Sequence, residues 1–66
     1  MTDRRITIRA ARVNSSLTQL ELAKAINVDR STVINWENGV SYPTIDKAIQ
    51  MCTVLNQELD SIKWVQ

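Results

Sequence analysis

The stretch Gln19-Leu20-Glu21-Leu22-Ala23-Lys24-Ala25-Ile26-Asn27-Val28-Asp29-Arg30-Ser31-Thr32-Val33-Ile34-Asn35-Trp36 decides the fold. Counted from Gln19, its apolar residues Leu22, Ala23, Ile26, Val28, Val33 and Trp36 take the fourth, fifth, eighth, tenth, fifteenth and eighteenth places. That spacing fits two short helices that cross steeply and bury one shared face. The small Ala23 stands where the two backbones come closest. Asn27 stands at the tight turn, and asparagine tolerates the positive φ needed there. Just ahead, Thr18 and Glu21 match a capping box: each side chain can satisfy the other residue's backbone N–H. Asp29 is a good N-cap for the second of the two helices. Gly39 lies just past its end, where a C-cap glycine belongs.

Working outward, residues from about Arg4 to Asn14 hold Ile6, Ile8, Ala11 and Val13 interleaved with four arginines, which predicts a first helix. Asn14-Ser15-Ser16 interrupts it with turn formers. On the other side, Val40-Ser41-Tyr42-Pro43 is an extended connection, because the residue before proline is biased away from helix. Thr44 can cap a fourth helix, with Asp46 favourable in its first turn. Ile45, Ala48, Ile49, Cys52 and Leu55 recur at helical spacing and form its expected buried face, flanked by Met51 and Val54, which are expected to reach the surface. Asn56 ends that helix, and a short fifth helix from about Glu58 carries Leu59 and Ile62. The expected architecture is all-α, a single domain over residues 1–66.

Composition narrows the functional classes. Sixty-six residues allow one small domain and are too few for most active sites built on two layers of structure. An apolar fraction of 44% with net charge +1 argues against disorder. The single glycine and single proline disfavour a turn-rich all-β fold. With no histidine and one cysteine, an intramolecular disulfide is excluded and a Cys/His metal site disfavoured. Cys52 reads as a packing residue with no base to activate it. No cofactor or small-molecule ligand is evident, and no nucleophile–base set points to an enzyme. No apolar run approaches the ~20 residues of a membrane span or the ~7–15 of a signal peptide. The expected location is therefore the cytoplasm, without membrane partners. The initial methionine and the short tail favour a complete small protein over an excised headpiece.

The residues Leu17-Thr18-Gln19, Leu22-Ala23, Ile26-Asn27-Val28, Ser31-Thr32-Val33, Trp36-Glu37-Asn38-Gly39, Pro43-Thr44, Leu55, Leu59-Asp60 and Ile62 together resemble the Cro and phage-repressor-like helix-turn-helix family, also called the xenobiotic-response-element family. The resemblance covers about residues 8 to 62. It implies a compact five-helix, lambda-repressor-like domain whose second and third helices form the helix-turn-helix. It also implies a regulator of transcription, at the nucleoid of a bacterial or phage-infected cell, that binds operator DNA as a homodimer with the third helix in the major groove. Where the family prefers glycine, this chain has Ser16, Asn27 and Asn56. Leu20 and Ile34 stand where polar residues are commoner, Glu58 replaces a serine or threonine cap, and Asp29 replaces a neutral one.

Carried onto this sequence, the resemblance implies the following roles. Gln19 and Thr18, at the N-terminus of the second helix, contact a phosphate. Arg30, Ser31, Ile34, Asn35 and Asn38 face the bases: arginine suits guanine, asparagine suits adenine, and Ile34 suits a thymine methyl. Arg12 pairs with Glu37, whose charge otherwise opposes the dipole at a helix C-terminus, and Arg12 also lies near a phosphate. Ser41 and Tyr42 lie on the phosphate backbone, or Tyr42 simply packs on the core. Ile62, Trp64 and Val65 form a dimer surface, or cover the core of their own chain. The alternative function is a protein-interaction module, such as an antitoxin or antirepressor, that uses the same face. Net charge +1 looks too small for a DNA binder, but residues 1–30 hold six Lys or Arg against three Asp or Glu. Residues 31–66 hold two against four, so the cations gather in the half that supplies the first two helices.

Overall fold

Among the described residues, three threonines start three of the four α-helices. Thr7, Thr18 and Thr44 are all in extended backbone, and each side-chain oxygen accepts from the amide three residues on, at Ala10, Glu21 and Lys47. Each bond satisfies one of the amides that a helix start leaves without a partner. The computed structural model describes residues 4–65. Their order is β1 (Ile6–Thr7), α1 (Ile8–Asn14), α2 (Gln19–Ala25), α3 (Arg30–Glu37), α4 (Ile45–Leu55), a 3-10 turn (Leu59–Ser61) and β2 (Ile62–Lys63).

The first helix is shorter than its hydrophobic pattern predicts. It begins at Ile8, because Thr7 caps it and the residues before it are extended. Ile6 and Thr7 instead pair in parallel with Ile62 and Lys63, in the register Ile6 to Ile62 and Thr7 to Lys63. The expected fifth helix is also corrected. Glu58 makes no side-chain cap bond and the segment forms one 3-10 turn before becoming β2. Among the described residues the domain thus has four α-helices and a small parallel strand pair.

One core joins these elements. Ile8 and Ala11 of α1, Leu22 and Ala23 of α2, Val33 and Trp36 of α3, Met51, Cys52 and Leu55 of α4, and Ile62 of β2 all belong to it. α4 docks through Ala48, Met51, Cys52 and Leu55, whereas Ile45 and Ile49 are 63% and 51% exposed. The helix is therefore turned relative to the expected stripe, and Met51 rather than Ile49 fills the space against α1–α3. Lys47 on α4 donates from Nζ to the carbonyl of Ile26 at 2.8 Å, neutralising the C-terminal end of α2.

Among the described residues the turns use left-handed backbone at four places. Ser16, Asn27 and Asn56 have φ of 59°, 59° and 53°, and Gly39 has 74°. Asn27 lets the Val28 amide reach the Ala23 carbonyl at 2.9 Å, which closes the turn between α2 and α3. No helix among the described residues is long and apolar enough to cross a membrane.

Candidate nucleic-acid interface

The buried seam between α2 and α3 fixes what their other faces expose. Leu22, Ala23, Ile26, Val33 and Trp36 go inward. Arg30, Ser31, Asn35 and Asn38 are then exposed on the opposite side of α3 or at its end, while Ile34 is half-buried. At the amino end of α2, Arg12, Thr18, Gln19, Leu20 and Arg30 line one open groove of about 430 Å³. Leu20 is exposed at its rim. Two helix amino ends and two arginines thus converge on a single concave surface.

Glu37 organises this surface from beneath. Its side chain has no exposure, yet none of its charge is uncompensated. Arg12 donates from Nε to Oε2 at 2.6 Å and from Nη2 to Oε1 at 3.2 Å. Gln19 Nε2 donates to Oε1 at 3.2 Å, and Arg9 Nε donates to the same oxygen at 3.3 Å. Burial pushes the Glu37 carboxyl upward, but the hydrogen bonds from Arg12, Gln19 and Arg9 and the Arg12 charge outweigh it and hold the group below the usual carboxylate range. The carboxylate that would oppose the α3 dipole therefore serves as a hub joining α1, α2 and α3.

The hub dictates how its neighbours face. Arg12 spends its remaining Nη1 on the Leu17 carbonyl at 2.8 Å, and its side chain is 12% exposed. Gln19 turns its oxygen outward, where it accepts from Arg30 Nη2 at 3.4 Å. Arg9 donates from Nη2 to Oδ1 of Asn38 at 3.2 Å, at the far end of α3. Sequence reasoning missed Arg9, although its i, i+3 spacing from Arg12 puts both arginines on one side of α1.

The remaining expected residues are placed as follows. The Thr18 N–H donates to Glu21 Oε1 at 2.8 Å, and Thr18 holds the Glu21 carboxyl below its usual range. The backbone amide of Thr18 is therefore occupied, while its side chain remains at the groove. Asp29 occupies the N-cap position of α3 but makes no side-chain cap bond. Ser41 is half-buried and Tyr42 exposed, with Tyr42 beside Pro43, Ile45, Ala48, Leu59, Trp64 and Val65 around an apolar groove of about 190 Å³. Trp64 is half-buried and its indole N–H donates to the Leu59 carbonyl at 2.8 Å. Of Ile62, Trp64 and Val65, expected either at a dimer surface or over the core of their own chain, Ile62 takes the second place: it lies in that core with no exposure, where β2 pairs it with Ile6. Cys52 is buried in the same core, which pushes its thiol above the usual range.

A helix-turn-helix family model matches residues 8–62, which takes in all four helices. A protein of Archaeoglobus fulgidus described as an uncharacterized HTH-type transcriptional regulator is 33% identical over 58 residues, 88% of this chain and 82% of that one. No solved structure matches the chain significantly. The crossed α2–α3 pair, the groove at its amino ends and the extent of the match agree, and the chain belongs to the Cro/phage-repressor-like helix-turn-helix family of DNA-binding transcriptional regulators.

Proposed function

We propose that this protein regulates transcription by binding a near-palindromic operator as a homodimer, in the manner of a phage Cro protein or repressor. The observation that carries this reading is the outward face of α3. Arg30, Ser31 and Asn35 are exposed there, directly beside the groove lined by Arg12, Thr18, Gln19 and Arg30. With α3 in the major groove, Arg30 suits guanine O6 and N7, Asn35 suits adenine N6 and N7, Ser31 either, and Ile34 a thymine methyl. Thr18 and Gln19 lie at the phosphates before α2, and Ser41 and Tyr42 at those beyond α3. The cations concentrated in residues 1–30 support the same orientation.

Two copies set their recognition helices about 34 Å apart, one turn of DNA. The apolar groove bordered by Tyr42, Leu59, Trp64 and Val65 supports self-association, since exposed apolar patches rimmed by polar residues mark interaction surfaces. Selection of bound duplexes from a random pool tests the whole reading. The expected result is a near-palindrome whose enrichment disappears in an Arg30→Ala/Asn35→Ala variant. Binding should also weaken steeply with salt as phosphate contacts release counterions. No enrichment at low salt overturns the proposal and leaves the face to a protein partner.

A further inference from the structure

Arg9 lies on α1, outside the helix-turn-helix, and the structure gives it an outlet that Arg12 lacks. Arg12 uses Nε, Nη1 and Nη2 on Glu37 and the Leu17 carbonyl and is nearly buried. Arg9 shares the Glu37 carboxylate but keeps a side chain 58% exposed. A single carboxylate between two guanidiniums leaves one positive charge over. Arg12 makes the shorter contact, 2.6 Å against 3.3 Å, so the uncancelled charge sits at Arg9. Arg9 Nη1 has no acceptor among the described residues, and its Nη2 is on the Asn38 oxygen.

That last bond fixes Asn38 as well. With Oδ1 accepting from Arg9, the Asn38 amide presents Nδ2 as a donor. A bidentate adenine contact needs both ends of an amide, whereas a phosphate oxygen needs only donors. The pair stands at the carboxyl end of α3, and the Arg30–Gln19 pair, joined at 3.4 Å, stands at its amino end. Eight residues make α3 about 12 Å long, close to the ~12 Å width of the major groove. The Gln19 amide beside the amino end of the helix and the Arg9–Asn38 pair at its carboxyl end match the two phosphate backbones that border the groove, leaving Arg30 to the bases between them.

We propose that Arg9 and Asn38 form a phosphate clamp at the carboxyl end of the recognition helix, and that Arg9 rather than Arg12 is the phosphate-binding cation of α1. The clamp rests on the DNA-binding reading above. Its test uses duplexes enriched by the wild-type protein, with affinity measured across a salt series. Arg9→Gln should reduce the slope of log affinity against log salt by about 0.9 while leaving base preference unchanged. Asn38→Asp, at an exposed position, should act in the same direction by neutralising Arg9 and repelling phosphate. A cooperative melt checks that each variant folds, and Asn38→Asp carries the test if Arg9→Gln does not. An unchanged slope in a folded variant overturns the clamp and leaves the DNA reading intact, as does an altered base preference. A wild-type protein that enriches no duplex overturns both.

Discussion

Gln19 and Glu37 are joined by a hydrogen bond of 3.2 Å from Nε2 to Oε1, across a separation of 18 residues. The bond links the first residue of α2 to the last residue of α3, so the angle between the helices is held at both ends: by apolar packing in the seam and by this polar tie at the rim. It also determines the orientation of the Gln19 amide, because only the nitrogen end can donate to a carboxylate.

The Arg12–Glu37 pair should dominate the polar contribution to stability. Removing either partner leaves a charge shielded from water, at a cost of up to ~3–5 kcal/mol. Arg12→Ala, Glu37→Ala and the double variant should show a coupling of about 1–3 kcal/mol in urea unfolding. Additive losses would mean that the pair holds nothing together.

The same carboxylate makes stability depend on pH. Glu37 titrates lower in the folded chain than in the unfolded one. Its contribution is therefore fully present above the unfolded value of about 4.3 and is lost as pH falls through the lower folded value. The stability gap between wild type and Glu37→Gln should be constant at neutral pH and shrink with acidification below about 4. Urea midpoints over a pH series measure it. A gap that widens in acid contradicts the sign.

Two helix starts offer a sharp comparison. Thr18→Ala breaks the reciprocal bonds with Glu21 and should cost ~1 kcal/mol. Asp29 sits at the equivalent position of α3 but bonds no helix amide through its side chain. Asp29→Ala should therefore stay within about 0.5 kcal/mol. Thermal unfolding of the two variants decides, and equal losses would refute the distinction.

α4 supplies a test of packing. Met51 is fully buried, so Met51→Ala should cost ~2–5 kcal/mol. Ile49, half exposed, should lose no more than about 0.5 kcal/mol on the same change. Comparable losses would place Ile49 in the core after all, as its spacing first indicates.

That contrast explains what could be read directly from the residues. The α2–α3 pair was legible because two strong local signals, the capping box at Thr18 and the turn at Asn27, bracket an unambiguous apolar spacing. α4 carries two apolar stripes, Ile45–Ile49 and Ala48–Met51–Cys52–Leu55, and periodicity alone does not choose between them. The choice is made by the shape of the surface that α1–α3 present. The start of α1 and the absence of a fifth α-helix share one cause: Ile6 pairs with Ile62, a contact between distant residues that no local pattern reveals. At the interface, residue types announced the exposed face of α3. The direction in which each amide points was hidden, since it follows from Glu37 reaching three helices at once. Arg9 was hidden for the same reason, as its partners lie 28 and 29 residues away.

The pairing of β1 with β2 has a kinetic consequence. Closing the chain between Ile6 and Ile62 costs roughly 3.5 kcal/mol of loop entropy plus a constant, whereas α2 and α3 are joined by a turn of a few residues. The crossed pair can therefore assemble while the strands are still apart, and the ladder should zip last and open first. Each opening withdraws Ile62 from the core and bares the floor on which α1 rests. Amide hydrogens of the ladder should thus exchange with solvent through a smaller, cheaper opening than those of α2 and α3, which makes the seam between the strands the weakest hinge of the folding unit.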